Sequence, residues 1–383
     1  MKATDLAERC SICGSGLLVE LAAFRQLRRV TSDCRPWPAG GRLGACGSCG
    51  ALQKPANPQF LAEIDDIYRT YAIYHQAQGV EQAVFTASGL PASRSARLLE
   101  SFRTTVGLGL DGRMLDIGCG NGAMLRAFNQ IAPGWLKAGT EFDEKYRKDI
   151  DAIPRTEPLY IGDVENVPGV FDFVSLIHVL EHIIDPVGLL RVLRTKLSPG
   201  GQLLVQVPHH IANPFELLIA DHRSHFTITS LGQALCLAGY EIVCLAEDWI
   251  PKEISVVARA AVKPTLPPSA GDSRGSRARV TASLEWLTGT AQQLRNLLTD
   301  RRIGLFGTSI AGTWLASEAG ERIDFFVDED PHRTGTRYLG RPVHSPTDVP
   351  ANSIVFVGLP PVIASGICRR LETAEISYLT PSS

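Results

Sequence analysis
The chain has 383 residues, 44% hydrophobic and 20% charged, which suits a soluble globular protein of two or three domains. Lysine plus arginine (38) against aspartate plus glutamate (40) leaves a formal net charge of −2, so nothing in the balance of charge points to nucleic acid. No apolar run approaches the roughly 18 residues of a membrane span, and Met1 to Arg9 lacks a secretion-signal core, so the expected compartment is the cytoplasm.

Five of the nine cysteines lie in the first fifty residues. Cys10-Ser11-Ile12-Cys13 and Cys46-Gly47-Ser48-Cys49 are two CxxC pairs. Two such knuckles turn four thiolates toward one tetrahedral centre, and the glycines let the backbone curl around it. The expectation for residues 1–55 is a ribbon holding a structural Zn2+ on Cys10, Cys13, Cys46 and Cys49. A redox role would call for a thioredoxin-like βαβ context, which is missing. Cys34 is left over as a bystander.

From residue 56 to 110 the pattern reads as a helical cap. Tyr68, Tyr71 and Tyr74 recur at i, i+3, i+6 there. Such a stripe reads first as core packing, with a cap over a bound cofactor as the alternative.

The next unit is predicted over 111–262. An apolar strand runs into Leu115-Asp116-Ile117-Gly118-Cys119-Gly120-Asn121-Gly122, where glycine occupies every second position of the loop. So few side chains let a ligand lie against the backbone, and the helix that follows turns its free N–H groups toward the same ligand. With the acid before it, GxGxG resembles the first motif of the class I S-adenosylmethionine (SAM) methyltransferases, an α/β Rossmann-like fold. The resemblance implies a cofactor site from Asp116, Gly118, Cys119, Gly120 and Gly122. Glu141 closes the second strand, Leu136 to Thr140, about 20 residues on, where an acid accepts ribose hydroxyls. Asp163 and Val164 follow a third strand and are placed to read the adenine by carboxylate and backbone N–H.

Phe171 to Ile177 reads as the fourth strand, followed by His178-Val179-Leu180-Glu181-His182 and a helix opened by Asp185-Pro186. The pentapeptide matches HxxEH, but a zinc peptidase needs both histidines on a helix, whereas this segment leaves a strand. In small-molecule methyltransferases, which it resembles, the position of His178 borders the methyl group. Ser198-Pro199-Gly200-Gly201 then turns into a fifth strand, Gln202 to Pro208. A helix is expected from Leu231 to Gly239, capped near Thr229-Ser230. A strand from Glu241 to Leu245 and an antiparallel last strand, Ile254 to Ala258, complete the unit. After the fifth strand, Ala220-Asp221-His222-Arg223-Ser224-His225-Phe226 packs two histidines, an acid and an arginine into the loop expected to face the methyl group. Histidine titrates near neutrality and serves as a base. His222 is the candidate, with Asp221 to hold its ring or raise its basicity, and His225 beside it.

Residues 263–280 read as a Pro/Ser/Gly linker. In 281–383 a helix leads to Arg302 to Gly312, Ile323 to Asp328 and Ile354 to Gly358, a second and smaller Rossmann-like unit. The combination of paired CxxC ribbon, SAM unit and this C-terminal unit resembles the sugar C-methyltransferases of nucleotide-linked 4-keto-6-deoxy sugars. It is carried by the four cysteines, LDIGCGNG, and Gly304-Leu305-Phe306-Gly307 through Val327-Asp328-Glu329-Asp330-Pro331. The resemblance implies that a histidine removes the proton alpha to the keto group, that the enolate takes the SAM methyl, and that the C-terminal unit helps hold the nucleotide-sugar. The family loop, roughly Tyr-x-Glu-His-x-x-Tyr, places its Glu-His pair on Asp221 and His222. Ile219 and His225 stand where it has tyrosines, so the tyrosine role is not carried over. The expected partner is a small molecule, without nucleic acid or membrane. O- or N-methylation of another sugar or metabolite stays open, and a zinc-ribbon RNA-binding module with a vestigial SAM fold is the third reading.

Overall fold
A computed structural model describes residues 9–16, 18–72, 81, 83–85, 91–263, 273–297, 299–371 and 373–382. The central unit is a seven-stranded sheet in the order Tyr160–Ile161, Leu136–Glu141, Arg113–Ile117, Phe171–Ile177, Leu197–Pro208, Glu253–Ala260, Tyr240–Ala246. The first five strands pair in parallel, and Glu253–Ala260 runs antiparallel to both its neighbours. Parallel strands are covered on both faces and read as apolar runs; Leu115, Val174, Leu176, Leu203 and Val205 are wholly buried. The helix Ala123–Ile131 follows the glycine loop, and Asp185 opens Pro186–Lys196 by accepting from the Gly188 N–H at 2.9 Å.

Several local expectations shift. Leu197 already pairs with Phe171, so the fifth strand starts before the Ser-Pro-Gly-Gly segment, which the strand absorbs at an irregularity in its register. The helix after the histidine loop spans Ile228–Leu237 and is capped by Thr227, whose side chain takes the Ser230 N–H while Ser230 takes the Thr227 N–H. Region 56–110 is two helices, Pro58–Arg69 and Arg94–Thr105, with a strand pair, Ala83–Phe85 and Pro91–Ser93, between them. Tyr74 lies outside the described residues. The segment expected to be linker as far as 280 is helical from Ser273, in the helix Ser273–Arg295. Val280, Leu284, Leu287, Ala291 and Leu294 recur every three or four residues and are buried, so core packing overrides the small polar composition at the start of that helix.

The C-terminal sheet has six strands in the order Arg337–Tyr338, Arg341–His344, Phe325–Val327, Arg302–Phe306, Ser353–Phe356, Ile376–Leu379, parallel except at the first pair. The N-terminal part is a small sheet, Leu18–Glu20, Gly44–Cys46 and Leu52–Gln53, joined by a fourth strand from far along the chain. That strand is Ser224–His225, which pairs antiparallel with Gln53 and Leu52. Leu21, Phe24, Val30 and Leu43 share one core with Phe215 to Ile219 and with Leu284, Trp314 and Phe326 of the C-terminal unit. The histidine loop is therefore clamped by the N-terminal ribbon, and the ribbon packs against the C-terminal sheet.

Candidate functional site
Strand Arg113–Ile117 delivers Asp116, 2% exposed, to the start of the glycine loop, where it accepts the Ser175 hydroxyl at 2.6 Å. Burial lifts its carboxyl to about 7 against the pull of that hydrogen bond. Gly118, Gly120 and Gly122 all have positive φ. A Cβ on Gly118 would lie 2.7 Å from Val179 Cγ2, so side chain and backbone both exclude a larger residue. Glu141 Oε1 accepts the Gly120 N–H at 2.5 Å and Oε2 the Phe142 N–H at 3.2 Å. Burial raises its pKa, with those two N–H groups pulling the other way. The helix Ala123–Ile131 has no side-chain cap at Gly122, so its first N–H groups stay available. This backbone cradle, with a carboxylate at each of two strand ends, fits a nucleoside-bearing sulfonium. Asp163 is exposed and absent from the cavity lining, while Val164 is buried behind it.

The histidine loop is built differently from the expectation. His222 donates from Nδ1 to Glu216 Oε2 at 3.1 Å, and His225 from Nδ1 to Glu216 Oε1 at 3.0 Å. One buried carboxylate therefore orients both rings. Asp221 does not hold His222: it accepts the Ser32 N–H at 2.8 Å and Ser32 hydroxyl at 2.5 Å, with His182 Nδ1 3.4 Å away. The reason is a turn at Ala220-Asp221, closed by the His222 N–H on the Ile219 carbonyl at 3.4 Å, which leaves the carboxylate on Ser32 and the imidazole on Glu216. Burial disfavours charge on His222, but Glu216 outweighs it and holds the ring above the usual 6.5. Burial and then the Lys54 charge push His225 down to about 4.

His182 stands against His222, ring centroids 4.6 Å apart and nearly perpendicular, and its Nδ1 meets the Tyr68 hydroxyl at 2.9 Å. Burial and then His222 lower its pKa. His178, at φ 53°, sits 3.2 Å from Glu181 and 3.1 Å from Glu253. Burial opposes its charge, yet Glu253 and Glu181 carry it up to about 9, so at neutral pH it is a cation and no proton acceptor.

The four cysteines converge. Cys10 and Cys49 sulfurs are 3.6 Å apart, as are those of Cys13 and Cys46, and all four lie within 4.8 Å of one another. A tetrahedral zinc with bonds of about 2.3 Å separates its sulfurs by about 3.8 Å, so the donor set fits that ion. Backbone N–H groups of Ser48 and Cys49 point at Cys46 Sγ, each at 3.4 Å. The groupings Glu181–His182–His222 and Glu216–His222–His225 also bring donor atoms together. In the second, both Glu216 oxygens are committed to imidazole N–H groups, an arrangement that orients rings.

A cavity of about 640 Å3 joins these parts. Asp116, Gly118, Cys119 and Glu141 line it, with His178, His182, Glu216 and His222, and with Ser309, Arg333 and Leu359 of the C-terminal unit. Tyr68 and Tyr71, rings 5.3 Å apart, line it as well, and so does Cys34, whose carbonyl accepts the Tyr338 hydroxyl at 3.0 Å. The stripe expected to pack the core thus borders the site. Asp221 and His225 do not line it. Sequence reading missed Glu216, His182 and Lys54. His182 alone carried a signal, as the second histidine of the strand-exit motif.

Residues 91–245 match a family model described as "Methyltransferase domain". A ubiquinone biosynthesis O-methyltransferase of Xanthomonas campestris pv. campestris is 30% identical over 117 residues, 28% of this chain and 47% of that protein. Its namesake from Pseudomonas aeruginosa is 31% identical over 125 residues, 29% and 50% of the two chains. The chain thus spans about half the length of these curated relatives. A methyltransferase of calicheamicin biosynthesis, solved with SAH, superposes on 44% of this chain and 54% of its own with 19% identity and a TM-score of 0.36, too slight a likeness to carry an argument. Residues 91–245 are thus similar to a methyltransferase domain, and the sheet they contribute to is a Rossmann-like α/β sheet. No helix among the described residues is long and apolar enough to cross a membrane.

Proposed function
We propose that this protein is a SAM-dependent methyltransferase acting on carbon of a nucleotide-linked keto-deoxy sugar, with His222 as general base. The observation that carries the reading is one cavity lined together by the glycine-loop cradle, by His222, and by Ser309 and Arg333. SAM supplies a methyl group already activated on a sulfonium. Asp116 and the loop would hold it, and Glu141 would exchange the Gly120 N–H for ribose hydroxyls. Arg333, 3.7 Å from Asp328 and 3.5 Å from Asp330, would have to share its guanidinium with a diphosphate, and Ser309 caps the helix Ile310–Ala319 without a side-chain hydrogen bond. His222 holds Nδ1–H on Glu216, which keeps a lone pair on Nε2 to take the acceptor's proton; the resulting imidazolium stays paired with the carboxylate. Cys10, Cys13, Cys46 and Cys49 would hold a structural zinc with every coordination position filled, and metal analysis should find one zinc per chain, lost in Cys46→Ser.

The test is transfer of labelled methyl from SAM to a panel of nucleotide-sugars, with the product methyl located by NMR. His222→Ala should abolish transfer while calorimetric SAH binding stays intact; near wild-type turnover in that variant sinks the base. The base must be neutral, so turnover should fall as pH drops through an inflection above 6.5, the direction in which Glu216 moves His222. O-methylation of another small acceptor is the second reading. It is favoured by the two relatives named O-methyltransferases, and a product methyl bonded to oxygen would select it.

A further inference from the structure
Lys54 follows the strand Leu52–Gln53 and is 1% exposed. Its Nζ lies 2.7 Å from the Ile219 carbonyl, 2.8 Å from the His222 carbonyl and 2.8 Å from His225 Nε2. An ammonium has three donors, and these are their acceptors. Accepting at Nε2, His225 keeps its proton on Nδ1 and gives it to Glu216, whose other oxygen takes the Nδ1–H of His222. We propose that Lys54 is a positioning residue: through His225 and Glu216 it holds His222 in the tautomer whose unprotonated Nε2 serves the cavity. The proposal rests on His222 as the base; of its chain of contacts, Lys54 and His225 lie outside the cavity and Glu216 reaches its lining.

The geometry fixes the charge as well. If the proton moves from Lys54 to His225, both Nδ1–H bonds to Glu216 persist and the pair still carries one positive charge. Burial pulls Lys54 to about 7 and His225 to about 4, so of the two it is Lys54 that carries the proton, and it does so below about pH 7. The other charged groups facing Lys54 are Arg29, Arg223 and Asp221. Those facing His222 are Glu181, Asp221 and His182, and His210 lies near His225. Glu216 alone contacts both imidazoles.

Selective 15N-histidine labelling of the full chain, without ligand, reads tautomer and inflection ring by ring. In the wild type, His222 should be the Nδ1–H tautomer with an inflection above 6.5, and His225 should stay Nδ1–H from about pH 5 to 9, responding only to the loss of the Lys54 proton near 7. In Lys54→Met the pair loses its charge. His225 should then no longer be held as the Nδ1–H tautomer, and the His222 inflection should rise, because a positive charge beside Glu216 has been removed. In His225→Phe the carboxylate serves one imidazole, and the His222 inflection should rise. Lys54→Arg, which keeps charge and donors, should retain the wild-type inflection. Thermal unfolding shows which variants fold. A folded Lys54→Met or His225→Phe protein whose His222 tautomer and inflection match the wild type overturns the proposal, and either variant decides if the other does not fold. SAH calorimetry on the same samples is separate: its failure removes the methyltransferase reading and leaves the relay as measured.

Discussion

The chain contains two strand–loop–helix units of the same outline, and they use their acids in different ways. In the SAM unit, three glycines at positive φ clear the loop, and Glu141 touches it through the Gly120 N–H, a backbone donor a ligand can replace. In the C-terminal unit, Gly307 alone of Gly307-Thr308-Ser309 has positive φ. There Asp328 is engaged by the loop itself, accepting both the Thr308 N–H at 3.0 Å and its hydroxyl at 2.6 Å, with Arg333 Nη1 on that same hydroxyl at 3.0 Å. A threonine in place of a glycine converts a ligand-accepting acid into one that closes its own loop. What the outline shares is a fold; what differs is whether the carboxylate is left for a partner.

Matched substitutions sharpen that contrast, and the largest effect belongs to the glycines. Gly118→Ala combines a left-handed backbone costing about 1–2 kcal/mol with a Cβ forced against Val179 at 2.7 Å and costing about 1–3 kcal/mol. Calorimetry should find SAH binding weakened about 100-fold or more. Gly307→Ala, with nothing within 4 Å of its Cβ, should cost about 1–2 kcal/mol of stability and leave SAH affinity unchanged. Weakened SAH binding in Gly307→Ala would break the comparison, because the second loop would then serve the cofactor as well.

The acids come next. Glu141→Ala should lose about 1.5–3 kcal/mol of SAH binding, the worth of hydrogen bonds to a charged group. Asp328→Asn should lower the unfolding midpoint and spare SAH binding. The smallest effect is a slope. The carboxyl of Asp116 is raised to about 7 in the folded chain from an ordinary 3.8. Its contribution to stability is complete below the ordinary value and declines as pH rises toward 7. Thermal melts of ligand-free protein should show that decline, and Asp116→Asn should flatten it. The strand Arg302–Phe306 bears no acid, so the C-terminal unit adds no matching slope.

The sequence carried a good part of this. The seven strands of the SAM unit were legible because each is an apolar run between glycine, proline or acid signals, and only their ends moved. The cysteine pairs were legible because spacing within a knuckle is local. Of the two roles given to Asp221, holding the ring failed, because the ring of His222 turns to Glu216, six residues earlier, while its charge does help to raise His222. Lys54 gave no signal at all, since an isolated lysine reads as solvated surface until the strand Ser224–His225 is seen pairing with Leu52–Gln53. The helix from Ser273 was hidden because its first turn is polar and gains its place by packing; Ser276 Oγ bonds the Gly50 carbonyl at 3.1 Å.

By itself the sequence determined the local chemistry: a bare loop between two acids, four thiols in two knuckles, histidines gathered in one segment. These follow from backbone freedom and short spacing, which need no distant residue. Only the tertiary structure decided which carboxylate serves which imidazole and that the ribbon reaches the base, because buried charges take the partners that long-range packing leaves within hydrogen-bond reach.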